Sequence, residues 1–404
     1  MQTKPKVIDL FAGAGGMSLG FARAGFEVVM AVDNCSVAVE TYRENLGDHA
    51  WDIDLGEADL AFPSPTVVAG GPPCQGFSSA GLRRSGDTRN TLVGRFAHLV
   101  ARLRPAMFVF ENVEGFFTAE GGSRVIELLQ PLIESGYRIH LRKINAANFG
   151  VPQHRKRVVA LGALGWDPKF PDPTHTAFGA PGALLAGSHL PPTPTLGEAL
   201  ASLPSASSSA PGQPEDHYYV PLEGLDLERA QALRPGQTMR DLPEVYWHES
   251  YRRRAFRRVK DGTPTERRGG APAGLRRLRY HEPSKAVTGA ARNEFLHPNE
   301  DRCLTVRECA RLQTFPDDFR FIGNASNRMQ LIGNAVPPLL ASRIADVVRE
   351  SLRSAKVRAE PGALLSFVPT LADGMSPALE KVSHEVRARF PEPAGTRLQL
   401  HLWD

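Results

Sequence analysis

Cys74 stands in the run Gly70-Gly71-Pro72-Pro73-Cys74-Gln75, directly after the apolar, β-branched stretch Thr66-Val67-Val68-Ala69. The apolar stretch reads as a buried strand, and two prolines leave the thiol little backbone freedom in an extended loop. A cysteine held at the carboxyl end of a parallel strand is where α/β enzymes keep reacting groups. A Gly-Pro turn that happens to hold a cysteine gives the same pattern. Glu111-Asn112-Val113 closes a second apolar run, 107–110, and sets a carboxyl group at the same sheet edge, placed for acid–base work or simply solvated. Arg155 and Arg157, in Gln153-His154-Arg155-Lys156-Arg157, share one strand face at period two. One arginine of such a pair can hydrogen-bond a substrate carbonyl while the other anchors a carboxylate or phosphate. An ordinary charge pair at the start of a strand has the same spacing.

A second group of residues suits a nucleotide-like ligand. Asp9-Leu10-Phe11-Ala12-Gly13-Ala14-Gly15-Gly16 links the first predicted strand to the first predicted helix. Glycines there let a ligand approach the backbone, and the helix N-terminus offers free N–H groups to an anionic part of it. The dinucleotide fingerprint is not met, because Ser18 takes the third glycine's place. Asp33, at the end of the second predicted strand, can accept from ribose hydroxyls or cap the helix that follows. Asp52-Ile53 comes after that helix, where a carboxylate can accept from an adenine amine.

The elements that must position these groups alternate. Strands are predicted over 6–11, 28–32, 66–69, 107–110, 137–144 and 158–162, with helices from 16, 36–45, 90–102 and 124–135 between them. This rhythm predicts a doubly wound, mainly parallel, Rossmann-like α/β sheet over residues 1–170. Past 170 the chain turns rich in Pro, Gly, Ala and Ser and then basic, so 171–300 reads as a second, smaller, irregular domain. Helical patterning returns over 305–313, with a Thr305/Glu308 capping box, and over 338–352, with proline in the first turn. Residues 301–354 thus read as the rest of the first domain and 355–404 as a tail of open role.

Charge and cysteine usage narrow the partners. The net charge of +4 is too weak to imply one. Arg252, Arg253, Arg254, Arg257 and Arg258, however, open a run to Arg279 in which only Asp261 and Glu266 are acidic. Such a run is a footprint for a polyanion, nucleic acid above all, or a solvated loop. The four cysteines form no C-x-x-C pair and no histidine cluster has zinc spacing, so no metal is expected. Few cysteines and no signal peptide point to a reducing cytoplasm. No apolar run approaches the ~20 residues that span a bilayer.

Taken in order, Phe11-x-Gly13-x-Gly15-Gly16, Pro72-Pro73-Cys74-Gln75, Glu111-Asn112-Val113 and Gln153-x-Arg155-x-Arg157 resemble the C5-cytosine DNA methyltransferases in sequence and spacing. The resemblance continues in Arg307-Glu308-x-Ala310-Arg311-Leu312-Gln313-x-Phe315-Pro316-Asp317 and Ile332-Gly333-Asn334-Ala335-Val336-Pro337-Pro338, covering residues 6–170 and 280–345. The family places a target recognition domain between these blocks, where the irregular basic segment lies. The resemblance implies S-adenosylmethionine as methyl donor. Phe11 would stack on its adenine, Asp33 take the ribose, Asp52 and Ile53 contact the adenine edge, Gly13, Gly15 and Gly16 face the methionine moiety, and Asn334 help close the site. It also implies that Cys74 adds to cytosine C6, Glu111 engages N3, Arg157 holds O2, Arg155 braces the carboxylate and loop, and the Pro73 carbonyl accepts from the exocyclic amine. Gln75 and Ser78 belong to the family's catalytic loop, with Ser78 entering the duplex and the arginines 252–258 on phosphates. Trp51 stands where the family has glycine, and Asp33 replaces its usual glutamate. The expected protein is a monomeric, cytoplasmic, nucleoid-associated enzyme acting on double-stranded DNA, with a restriction endonuclease acting separately. The alternatives are a tRNA cytosine-5 methyltransferase, whose Cys-Phe-Thr signature is missing here, and a catalytically inactive DNA-binding protein.

Overall fold

The computed structural model describes residues 3–56, 61–73, 91–185, 187–208, 216–249, 274–371 and 374–393. Cys74, Gln75, Ser78, Arg252, Arg253, Arg254, Arg257 and Arg258 lie outside the described residues.

One eight-stranded sheet organises the described chain. Its strands are β1 (Lys6–Leu10), β2 (Glu27–Asp33), β3 (Ala50–Asp52), β4 (Val67–Gly70), β5 (Met107–Val113), β6 (Tyr137–Asn145), β7 (Lys156–Leu164) and β8 (Ala363–Val368), in the order β8-β6-β7-β5-β4-β1-β2-β3. β4 is buried throughout and β5 from Met107 to Asn112. That is why both read as unbroken apolar runs rather than alternating ones. Helices α1 (Gly16–Arg23), α2 (Ser36–Leu46), α3 (Leu92–Leu103) and α4 (Ser123–Glu134) fill the crossovers. From the carboxyl part come α5 (Val306–Leu312), α6 (Ala325–Asn334), α7 (Pro338–Arg353) and α8 (Pro377–Arg389). Thr305 and Glu308 form the expected capping box at α5, and Pro338 opens α7.

Two cores flank the sheet. One joins α3 and α4 to β5 and β6 through Phe96, Phe108, Phe110, Leu128 and Leu132. The other joins α1 to α7 through Met17, Phe21, Leu340, Ala341 and Ile344. Helix α1 comes so near α7 that a Cβ on Gly20 would lie 2.4 Å from Ala341 Cβ. The stretch Ala325–Arg353 is long and apolar enough to cross a bilayer, but 67% of that window is buried in the protein.

Four features extend or depart from the sequence reading. β7 is antiparallel to both neighbours, because only the four-residue turn Ala146–Phe149 and a few linking residues separate it from β6. A parallel crossover needs a dozen residues or more. The tail supplies an eighth strand, β8, paired in parallel with β6. The span read as a separate domain has a small core of its own, Ala230, Leu233, Met239, Leu242, Leu275 and Leu296. Yet Leu196, Leu278, Val287 and Phe295 from the same span pack with Leu304, Val306, Leu312 and Ile332. Part of the basic run is also internal. Arg277 is buried and donates to the carbonyls of Leu233, Ala230, His297 and Glu300.

Polar groups fasten β8 to β6. His140 Nε2 lies 3.0 Å from the Pro168 carbonyl, which can only accept, so the ring proton sits on Nε2. Nδ1 then accepts from Ser366 Oγ at 2.8 Å, and Ser366 Oγ accepts from Arg142 Nε at 2.8 Å. Burial, seconded by the Arg142 charge and opposed by the Pro168 carbonyl and Asp167, pushes the His140 pKa from 6.5 down to about 4. The unfolded imidazole therefore takes a proton before the folded one does. Stability from this group is complete above pH 6.5 and is lost as pH falls toward 4. Discounted for partial exposure, the loss should be about 2 kcal/mol. Denaturant titrations at about pH 7.5 and about pH 5 should show it in the native chain and not in His140→Gln. An equal pH slope in both proteins would reject this account.

Candidate active site

Parallel strands β1 to β5 all deliver their carboxyl ends to one edge, and antiparallel β7 starts there. The order reverses between β4 and β1, the position at which open α/β sheets leave a crevice. The two strands touch backbone to backbone there: a Cβ on Gly70 would lie 2.6 Å from the Leu10 carbonyl.

On the β1 side the chain leaves the sheet through left-handed residues, Phe11 at φ 62, Gly13 at 55 and Gly15 at 90. Asp33 holds this turn from the next strand. Its Oδ2 accepts from Gly13 N–H at 2.8 Å and its Oδ1 from Cys35 N–H at 3.0 Å. Burial pushes the Asp33 carboxyl pKa up, and these two bonds oppose the push. The cap-like bond to Cys35 and the loop-bracing bond to Gly13 thus coexist in one carboxylate. A Cβ on Gly13 would meet nothing within 4 Å among the described residues, which leave open space over it. Gly15 and Gly16 differ. Their Cβ positions fall 2.5 Å from Leu46 and 2.2 Å from the Val336 carbonyl, so both are packing glycines, and the Gly15 N–H is already given to the Ala12 carbonyl at 2.9 Å. Asp52 is exposed beside Asp33 in register, Ile53 packs on the core, and Trp51 is 51% exposed on the edge strand.

On the β5 side, Glu111 is 7% exposed and its Oε1 lies 2.8 Å from Arg157 Nε. The register pairs Val113 with Arg157 and Glu111 with Val159, which makes Glu111 and Arg157 diagonal neighbours on one face. The Gly-Gly-Pro-Pro segment starts against this pair. A Cβ on Gly71 would sit 3.2 Å from Glu111 Oε2, and Asn112 Nδ2 donates to the Pro72 carbonyl at 2.8 Å. Asn112 is steadied in turn by Val113 N–H, which donates to its Oδ1 at 2.9 Å. The segment leading to Cys74 is therefore clipped to the strand that carries Glu111, and Pro73, the last described residue before it, is exposed.

Arg155 requires a correction. Its hydrogen bonds do not go to the Glu111 carboxylate, although the two charges attract. Its buried guanidinium donates to the Val287 carbonyl at 2.9 Å, to Gly333 at 2.7 Å and to Ala335 at 3.0 Å. Period-two spacing fails here because Arg155 precedes β7, which starts at Lys156. Gln153 works beside it, donating to the Leu312 carbonyl and accepting from Val287 N–H. Together they lock the carboxyl block onto the sheet. Asn334 ends α6 exposed, its Oδ1 accepting from Gln330 Nε2 at 3.0 Å, two residues before the carbonyl that packs on Gly16.

Sequence reasoning assigned no role to Asp9 or to the Asn112 side chain. Asp9 is 1% exposed, lies 2.6 Å from Ser18 Oγ, and burial raises its carboxyl to about 7. Its other oxygen, Oδ1, has no hydrogen-bond partner among the described residues. A polar residue inside an otherwise apolar first strand was the available signal. Among the described residues no group of three His, Cys, Asp or Glu is arranged to hold a metal ion. A cavity of about 1020 Å³ opens at the opposite edge of the sheet, beside Arg104, Trp166 and Lys356, and none of the candidate site residues lines it.

Comparison with known proteins agrees with this geometry. A family model described as C-5 cytosine-specific DNA methylase matches residues 5–350. The chain is 36% identical to the type II methyltransferase M1.HphI of Haemophilus parahaemolyticus, over 84% of this chain and 86% of that one. It is 32% identical to the type II methyltransferase M.AgeI of Thalassovita gelatinovora, over 86% of this chain and 100% of that one. Among solved structures, a prophage-encoded protein of E. coli described as a DNA modification methyltransferase shares the fold, with a TM-score of 0.63 and 24% identity over 87% of this chain and 100% of that one.

Proposed function

The chain belongs to the C-5 cytosine-specific DNA methylases, and from that membership we propose how its own residues divide the work of methylating cytosine at C5 in DNA. The observation that carries the reading is the Glu111–Arg157 pair, 2.8 Å apart, at the sheet edge where Asn112 clips the segment leading to Cys74. The family uses S-adenosylmethionine, which supplies the methyl group when bound. The edge beside it fits such a ligand: open space over Gly13, a turn held by Asp33, and the N-terminus of α1. Phe11, Ile53 and Asp52 would take the adenine, Asp33 the ribose, and the Gly13–Gly16 backbone and Asn334 the amino-acid end.

Cytosine C5 is too weak a nucleophile to react unaided. Addition of the Cys74 thiolate to C6 breaks the ring's aromaticity and makes C5 enamine-like, dividing one hard step into easier ones. Glu111 protonates or hydrogen-bonds N3 as charge develops, Arg157 holds O2, and the Pro73 carbonyl accepts from the exocyclic amine. Once C5 has taken the methyl group, a base removes the C5 proton, the C5–C6 double bond re-forms and Cys74 leaves. C6 is out of reach in stacked DNA, so the base must swing out at a cost of a few kcal/mol. Gln75 and Ser78 would stand at the opened duplex. Arg252, Arg253, Arg254, Arg257 and Arg258 would hold phosphates, which sets affinity rather than sequence choice.

The chain resembles named type II methyltransferases over most of its length. That supports a monomer that marks DNA in the cytoplasm for protection against a separate restriction endonuclease. Bisulfite sequencing of DNA from an expressing host should map one methylated site. Duplexes with 5-fluorocytosine at that site should then trap the protein covalently. No 5-methylcytosine and no adduct from folded protein would sink the reading. Transfer to tRNA alone would move the substrate from DNA to RNA.

A further inference from the structure

The family match ends at residue 350, but the fold does not. β8 buries Leu364, Leu365 and Phe367, each 1% exposed, and helix α8 buries Val382 at 2% and Val386 at 1%. Both pack into the core beneath β5. Aromatic rings run from the tail to the residue before Glu111. Phe367 meets Phe117 edge-on at 5.6 Å between centroids, Phe117 lies 6.1 Å from Phe116, and Phe116 lies 5.1 Å from Phe110.

The segment between Glu111 and α4 depends on these contacts. Glu114–Gly122 is a broken 3-10 stretch, with Ala119 extended and Glu120 and Gly121 left-handed at φ 48 and 70. Hydrogen-bond geometry of this type is poor and the stretch must be held from outside. α8 and Phe367 of β8 both pack against it. A Cβ on Gly122, at φ 97, would fall 2.7 Å from Val382 Cγ2, so the segment sits directly on the helix. At its other end, Glu114 lies 3.6 Å from Lys143 of β6, the strand that β8 covers.

We propose that β8 and α8 form a brace for the end of β5, with Phe367 as a positioning residue that fixes where Glu111 and Arg157 meet the base. The proposal rests on the reading of Glu111 as the catalytic acid. The cofactor edge, at β1 to β3, lies across the sheet from the brace, so loosening it should slow chemistry without weakening cofactor binding.

The test uses full-length chain and the mapped DNA site. In Phe367→Ala the single-turnover methylation rate should fall about 10- to 100-fold, the range for a small misplacement remote from the chemistry. The Kd for S-adenosylmethionine should stay within about twofold of wild type, because the brace and the cofactor edge share no residues. Phe367→Leu should recover most of the rate. Should Phe367→Ala not fold, Val382→Ala carries the same expectation. An unchanged rate in folded variants overturns the brace, as does a parallel fall of rate and affinity that merely tracks the folded fraction. Glu111→Gln is measured alongside. Wild-type rate in that variant overturns the acid reading itself, whereas a slow Glu111→Gln beside a fast Phe367→Ala overturns the brace alone.

Discussion

A Cys74→Ala variant should bind S-adenosylmethionine and duplex DNA and transfer no methyl group, with turnover down by about four orders of magnitude or more. The size follows from the chemistry. Without a nucleophile at C6, C5 keeps its aromatic electron density and every later step waits on one that no longer occurs. Binding should survive because the groups assigned to the cofactor lie in the turn after β1, at the ends of β2 and β3 and at the end of α6, and the clip between Asn112 and Pro72 lies before the substituted residue. Cys74→Ser should behave alike, since a hydroxyl ionises far less readily than a thiol of pKa about 8.5. Label transfer from S-adenosylmethionine, covalent trapping on 5-fluorocytosine DNA and equilibrium binding of both ligands separate the cases. Residual methylation above about a hundredth of wild type would be too much for a missing covalent nucleophile.

The parts of the site legible in the sequence are those set by local rules. Buried strands ending in glycine or a carboxylate place Gly13, Asp33, Gly70 and Glu111 without any knowledge of the tertiary structure. Arg157 was legible as well, being inside a strand where period two holds. Arg155 was not, because its partners are carbonyls at Val287, Gly333 and Ala335, far along the chain, and no pattern in 153–157 points to them. Arg277 hid for the same reason. In a basic run it looks like a phosphate contact, and only packing shows its guanidinium turned inward. β8, a strand of only six residues, Ala363–Val368, lies in a tail with no motif to mark it. It is identified by the neighbour it covers, and that neighbour is more than two hundred residues away in the chain.

Glu111→Gln should lower the single-turnover rate about 10²- to 10⁴-fold, the range for loss of a positioned acid. Binding of S-adenosylmethionine should be unaltered. The amide keeps the side chain's shape and can still hydrogen-bond N3, but it cannot deliver a proton there. The change also strips Arg157 of its counter-ion at a site where both side chains are nearly buried, 13% and 9% exposed. Breaking such a pair from one side costs about 3 kcal/mol, so lost stability is a competing cause of any fall in activity. The double-mutant cycle with Arg157→Met decides between the two. If the pair acts as one unit, the double variant is no slower than the slower single variant, while its stability recovers because no unpaired charge is left buried. If the rate follows stability, the double variant regains activity together with its fold. Slow chemistry in a double variant whose melting has returned toward wild type would leave Glu111 with a role in proton transfer that stability cannot explain, and a rate restored along with the fold would remove that role.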